Sequence, residues 1–239
     1  MPPQADPLHV IVDIIIPAFN EEGSIGKVVD EIPKGLVRDI LVCDNNSTDT
    51  TAAVAKAAGA IIVPAPQKGY GSACLAGHAY IAARPAGELP DIVVYIDGDL
   101  SDYPGQLGQV IAPIINGEAE LVIGSRALGK RQDGAMLPHQ MFGNWLATTL
   151  MRLIWGVKFT DLGPFRAVAY PTLMKINMED PDFGWTVEMQ VKAAKLKIRS
   201  VEVPVDYRNR AHGKSKVSGS LKNSYLAGQK ILWTIFSNI

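Results

Sequence analysis

The chain has 239 residues, 47 % hydrophobic and 20 % charged, with 22 glycines and 16 prolines. That composition excludes collagen-like and low-complexity chains, and the length suits one α/β domain whose core needs no covalent staples. The net charge of −1 excludes a global basic field for nucleic acid, yet from Lys192 to Lys230 ten Lys/Arg face only Glu202 and Asp206, a local +8 that invites an anionic partner.

Strand-like and helix-like segments alternate through the first half. Val10–Ile16 is a β-branched run ending at Pro17, where a residue without an N–H is expected to take the chain out of the sheet. A helix over Glu21–Ile32 follows, with Asn20 as a candidate cap, then a strand over Asp39–Cys43. Asp49–Ala58 reads as a helix capped by Ser47 or Thr48, and Ala60–Val63 as a strand. A helix over Tyr70–Ala83 precedes a strand at Asp91–Ile96, a helix at Pro104–Ile115 and a strand at Glu120–Gly124. Continuous apolar strands alternating with helices indicate a mostly parallel, doubly wound sheet with helices on both faces.

Beyond residue 130 the pattern loosens. Helices are expected at His139–Trp155, Trp185–Lys195 and Ser220–Asn238, and strands at Phe165–Ala169 and Ile198–Val203. The reading is one catalytic domain over 1–217 and a C-terminal amphipathic helix over 218–239. On that helix Leu221, Tyr225, Gly228, Leu232, Ile235 and Ile239 share a face that Trp233 and Phe236 broaden. Such a face packs on a core or lies on a membrane surface, and the pattern leaves both open.

Cys43 and Cys74 show no metal-binding spacing and no disulfide framework. The N-terminal MPPQADP lacks the features of a signal peptide, and no apolar run approaches membrane-spanning length. The expectation is a cytoplasmic protein, with peripheral contact at the cytoplasmic membrane face.

Ligands of doubly wound sheets bind at the carboxyl ends of the strands, and four such ends here are polar. The first is Pro17-Ala18-Phe19-Asn20-Glu21-Glu22, and the second is Asp44-Asn45-Asn46-Ser47-Thr48-Asp49. In the second, Asp44 suits the imide N–H of a base and Asn45 a ribose, although an Asx-rich turn explains the same residues. The third end, Gln67-Lys68-Gly69-Tyr70-Gly71, offers one cation in a flexible loop that opens a helix, suitable for phosphate. The fourth is Asp97-Gly98-Asp99 after Tyr95-Ile96, where two carboxylates can share a divalent cation that completes its shell with substrate phosphates.

These four motifs in this order resemble the family 2 glycosyltransferases, with their glycosyltransferase-A fold. The match continues through Val122-Ile123-Gly124-Ser125-Arg126, Asp161-Leu162-Gly163-Pro164-Phe165-Arg166, Val203-Pro204-Val205-Asp206-Tyr207-Arg208 and His212-Gly213-Lys214-Ser215-Lys216. Within that family the chain looks most like the polyprenyl- or dolichyl-phosphate sugar synthases, which move a sugar from a nucleotide diphosphate onto a lipid phosphate with inversion. The resemblance implies Pro17, Phe19, Glu21 and Asp44 around base and ribose, and Asp97 and Asp99 at a Mg²⁺ or Mn²⁺ ion and the diphosphate. Ala18, Asn45, Lys68, Gly69 and Gly98 complete the expected donor site for a UDP- or GDP-sugar. The chain departs from the subgroup at Gly98, usually alanine, at Ser101-Asp102, usually glutamine-histidine, and at Gly163-Pro164, which stand in a usual serine-glycine.

The acceptor decides the remaining chemistry. A phosphate monoester has its second pKa near ~6 and attacks without a base, so cations suffice: Arg126 and Arg131 first, then Arg208, Lys214 and Lys216. A hydroxyl acceptor on a glycolipid, polysaccharide or small metabolite needs a general base, for which Asp161 and Glu188 are the candidates. A sugar-nucleotide pyrophosphorylase should carry a glycine-rich basic loop after the first strand, and Pro17-Ala18-Phe19-Asn20-Glu21 is not one. A degenerate nucleotide-binding module is disfavoured by the intact Asp97 and Asp99.

Overall fold

The computed structural model describes residues 10–213 and 221–239, with side chains of the last helix from 226 onward. Seven strands form one sheet in the order β3-β2-β1-β4-β6-β5-β7. They are β1 (Val12–Ala18), β2 (Asp39–Asp44), β3 (Ile61–Pro64), β4 (Ile92–Tyr95), β5 (Leu121–Ser125), β6 (Arg166–Ala169) and β7 (Ser200–Pro204). The helices are α1 (Ile25–Glu31), α2 (Thr51–Ala57), α3 (Tyr70–Ala82), α4 (Leu107–Ile115), α5 (Pro138–Trp155), α6 (Tyr170–Ile176), α7 (Trp185–Lys195) and α8 (Leu221–Ser237).

All seven residues of β1 are buried, because helices cover both faces of the sheet. The side-chain alternation divides them between two cores. Ile15, Leu41 and Tyr95 pack with α3, α5, α7 and α8, while Ile14, Ile16 and Val42 pack with α1, α2 and α4. Strands β1 to β4 and the β5–β7 pair are parallel, but β6 runs antiparallel between β4 and β5. The sheet is therefore mostly parallel, as expected, with one reversed strand that brings the Asp161–Phe165 segment to the carboxyl ends of its neighbours.

Local expectations fail in three places. Pro17 stays in the sheet, opposite Cys43, and β1 continues to Ala18. The Ile15 carbonyl accepts from Ile96 N and the Ala18 carbonyl from Asn45 N, so Pro17 faces β4 beyond its last paired residue, Tyr95, and its missing N–H leaves no ladder acceptor unpaired. Asn20 is not a helix cap: it sits at φ 53° and its side chain ties to Thr48, while α1 starts after Ser24. Nor do Ser47 or Thr48 cap α2, which follows Thr50 with Asp49 accepting from Thr51 N.

The expected division at residue 217 falls within 214–220, outside the described residues. Helix α8 packs on α5 and α7 through Ala227, Thr234 and Ile235. Trp233 and Phe236 do not broaden that buried face: they are exposed, as are Leu226 and Ile239.

Candidate active site

A cleft of about 430 Å³ opens at the carboxyl ends of β1, β2 and β4. Of the expected donor residues, Pro17, Ala18, Phe19, Glu21, Asn45, Lys68, Gly69, Asp97, Gly98 and Asp99 line it. Asp44 does not; it turns aside, and its Oδ1 accepts from Ser47 N at 3.2 Å. Asn45 builds the adjoining loop: its amide donates to the Ala65 and Gln67 carbonyls while its Oδ1 accepts from Gly69 N at 2.9 Å. That loop then presses against residues 180–181. A Cβ on Gly71 would stand 1.9 Å from the Asp180 carbonyl oxygen, and Gly69 lies at φ 132° with a would-be Cβ 2.1 Å from the Pro181 oxygen. The two glycines are what let the loops touch.

The two acids of the cleft are in different circumstances. Asp97 is reached by the Tyr70 hydroxyl at 3.0 Å, and burial, aided by the neighbouring Asp99 charge, raises its carboxyl to about 7. Asp99 accepts from the Ser101 N–H at 2.9 Å and hydroxyl on one oxygen, and from Arg210 Nε at 3.2 Å on the other. Leu100, between Asp99 and Ser101, takes a left-handed φ of 63°, a conformation that a branched side chain adopts at a cost of order 1 kcal/mol or more. The same Arg210 pairs with Glu21, whose other oxygen accepts from Ser24 Oγ. Beneath them lies Asp102, 1 % exposed, with no hydrogen-bond partner on either carboxylate oxygen. Burial first, then Asp97 and Asp99, push its carboxyl well above the usual range.

On the other side, Arg126 is bound edge-on by Asp161: its N–H, Nε and Nη2 reach the carboxylate at 2.7–2.8 Å, and the guanidinium stacks 5.0 Å from the Tyr207 ring. Burial opposes both charges, but each overrides it for the other, so Asp161 is lowered and Arg126 raised. Asp161 also borders a second cavity of about 490 Å³, shared with Arg131, Arg152, Met141, Trp145 and Phe159. Helix α5 forms one wall and exposes Phe142, Trp145 and Leu153 nearby.

Three of the expected side chains are already partnered. The oxygens of Asp161, a candidate base, are taken by Arg126 and Leu162 N, and its carboxyl is held below the usual range. Glu188 lines neither cavity; it pairs with Lys192 at 2.7 Å and accepts from Glu179 N and Asp180 N, anchoring the loop before α7. Arg208 faces away from the cleft, donating to the Leu100 carbonyl and Glu31 while stacked 4.4 Å from Tyr103. Its expected place is taken by Arg210. Lys214 and Lys216 lie outside the described residues. Arg131 lines the second cavity and is exposed.

Sequence reasoning passed over Tyr70, Arg210, Asp182 and Phe183, all of which line the cleft. The spacing of Arg208 and Arg210 puts both on one side of an extended chain, so a signal existed, but not one that ranks them. For Asp182 and Phe183 there was none, because their segment is 110 residues from the loop it packs on.

Residues 13–176 match the model of Glycosyl transferase family 2. The chain is a family 2 glycosyltransferase. This glycosyltransferase is 38 % identical over 218 residues to an uncharacterized glycosyltransferase of Mycobacterium tuberculosis, covering 90 % of this chain and 94 % of the relative. It is 31 % identical to the undecaprenyl-phosphate mannosyltransferase of Micrococcus luteus, with 87 % of each chain covered. Its fold is that of glucosyl-3-phosphoglycerate synthase from M. tuberculosis, solved with Mn²⁺, UDP-glucose and phosphoglyceric acid: the TM-score is 0.75 at 24 % identity, over 96 % of this chain and 79 % of the other.

Two substitutions check this construction. Gly71→Ala is expected to destabilise the glycosyltransferase by about 1–3 kcal/mol in chemical denaturation, since the loops must separate. Asp161→Asn strands the Arg126 charge and should cost about 3 kcal/mol, while Arg126→Met with Asp161→Leu recovers most of it.

Proposed function

We propose that this glycosyltransferase transfers a sugar, with inversion, from a nucleoside diphosphate to a lipid phosphate, using Mg²⁺ or Mn²⁺ held by Asp97 and Asp99. The observation that carries the donor half is the cleft itself: Asp97 and Asp99 at its floor, with Glu21 and Asp182 beside them, against Arg210 and Lys68. Arg126 adds little to that balance because Asp161 matches it. This surplus of negative charge on hard oxygens fits a small divalent cation. Such ions bind through one or two carboxylates and take phosphates and water for the rest. Consistently, no group of three or more metal-ligating side chains occurs among the described residues. The Mn²⁺ and UDP-glucose bound to the structural neighbour support the same reading.

When bound, the cation supplies Lewis-acid stabilisation of the departing diphosphate. Arg210 and Lys68 line the same cleft and add fixed positive charge where the leaving charge develops. Phe19, exposed at the rim, offers a face for the base, and the Asn45-held loop closes the floor beneath it. An acceptor phosphate oxygen forms the new bond to the anomeric carbon as the bond to the diphosphate breaks, and the nucleoside diphosphate leaves.

The second cavity supports the acceptor half. Arg131 and Arg152 suit a phosphate, and Met141, Trp145 and Phe159 suit a hydrocarbon chain. Asp161 borders the second cavity, and the Arg126 it holds lies near enough to Asp97 for its charge to lower that carboxyl's pKa. With Asp161 and Glu188 both saturated, a hydroxyl acceptor lacks its two candidate bases, which favours the phosphate. The 31 % identical undecaprenyl-phosphate mannosyltransferase points the same way. No described helix is long and apolar enough to cross a membrane; the exposed aromatics of α5 and α8 suit contact with a lipid surface.

A thermal-shift panel of UDP, GDP and their sugar conjugates, with and without Mn²⁺, tests the donor half: specific ligands raise the melting temperature only with the ion. Asp97→Asn and Asp99→Asn should abolish that shift. Arg131→Ala and Arg152→Ala should raise KM for a polyprenyl phosphate about tenfold or more and leave donor affinity unchanged; an unchanged KM refutes the acceptor assignment. Because Asp97 titrates at about 7, Mn²⁺ affinity should weaken below that pH, approaching tenfold per unit. In the metal-free protein the sign is opposite: a raised carboxyl contributes its stability fully below its ordinary value near 3.8 and loses it as pH rises through about 7.

A further inference from the structure

Residues 179–184 form a short loop that is fastened on every side yet reaches into the donor cleft. Glu188 accepts from Glu179 N and Asp180 N, Ser72 N donates to the Pro181 carbonyl at 2.8 Å, and Lys230 of α8 grips Asp180 at 2.9 Å. Asp180 Oδ1 in turn accepts from Asp182 N at 2.8 Å. The result is a rigid shelf carrying Asp182 and Phe183 to the cleft wall.

Asp182 is half-buried there, and among the described residues no salt bridge takes up its carboxylate. The other acids of the cleft are engaged: Glu21 by Arg210 and Ser24, Asp99 by Arg210 and Ser101, Asp97 by Tyr70. A diphosphate would be repelled by Asp182, and no described cluster adds it to a metal site. What suits a fixed carboxylate in a narrow cleft is a neutral group rich in O–H donors.

We infer that Asp182 reads the transferred sugar, accepting hydrogen bonds from hydroxyls of the donor hexose and so helping to set which sugar is taken. This rests on the donor reading above. A rigid acceptor matters for discrimination, because a site built around a substrate hydroxyl loses far more with the wrong epimer than a site that bends to meet it.

Calorimetric titration in Mn²⁺ tests it, using wild type, Asp182→Ala and Asp182→Asn with UDP, GDP, UDP-glucose, UDP-galactose and GDP-mannose. For whichever sugar nucleotide wild type prefers, Asp182→Ala should weaken binding about 10- to 100-fold, the range for hydrogen bonds to a charged group. The parent diphosphate should hold within about twofold, and Asp182→Asn, which keeps one acceptor and the same shape, should lose less. Preference between epimers should narrow in the alanine variant. Equal loss for the diphosphate overturns the inference, because the residue then serves the nucleotide or the loop. So does an unchanged affinity for both. If wild type binds the diphosphates but none of the conjugates, the sugar reading alone falls; if it binds neither, the donor assignment falls with it.

Discussion

Two carboxylates held close together at the buried end of β4 repel each other, and much of the molecule is arranged around that repulsion. A hydroxyl from Tyr70 and the Ser101 turn stabilise them individually, and Arg210 bridges from Asp99 to Glu21. Burial first, and the Asp99 charge second, still raise the Asp97 carboxyl to about 7, and neither Asp102 oxygen has a hydrogen-bond partner. Unsatisfied buried acids cost stability, and they persist here because the sheet and the Leu100 turn hold the backbone whatever the side chains would prefer.

The walls of the donor cleft come from loops that no single strand controls. Asn45 on the β2 side pins the loop after β3, and that loop rests on the segment before α7, which α8 clamps through Lys230. Donor cleft and C-terminal helix are thus linked by a short chain of polar contacts. Anything that shifts α8, whose Trp233 and Phe236 face outward, is felt at Asp180 and then at Asp182.

The acceptor side follows a different rule. Arg126 is spent on Asp161 in a matched buried pair, with Nε and Nη2 both on the carboxylate. Arg131, in the loop before α5, and Arg152, in the last turn of that helix, line the second cavity. Positive charge and apolar surface therefore meet around one helix and the loops that flank it.

Strand positions, the four polar strand ends and the Asp97-Gly98-Asp99 pair were readable along the chain, since each rests on periodicity or adjacent residues. Trp185–Lys195 was bounded to the residue, and the family followed from the order of motifs. Helix α6 was overlooked, because it follows β6 directly, with no residue between them to mark the change. The reversed β6 was equally hidden, as an apolar strand looks the same in either direction. Which arginine enters the cleft, and whether Asp161 is a base or a partner, depended on side chains meeting from segments 35 to 111 residues apart. A linear pattern names residues able to do the chemistry; long-range packing settles which of them are left free to do it, because a charge already matched by a neighbour has nothing further to offer a ligand.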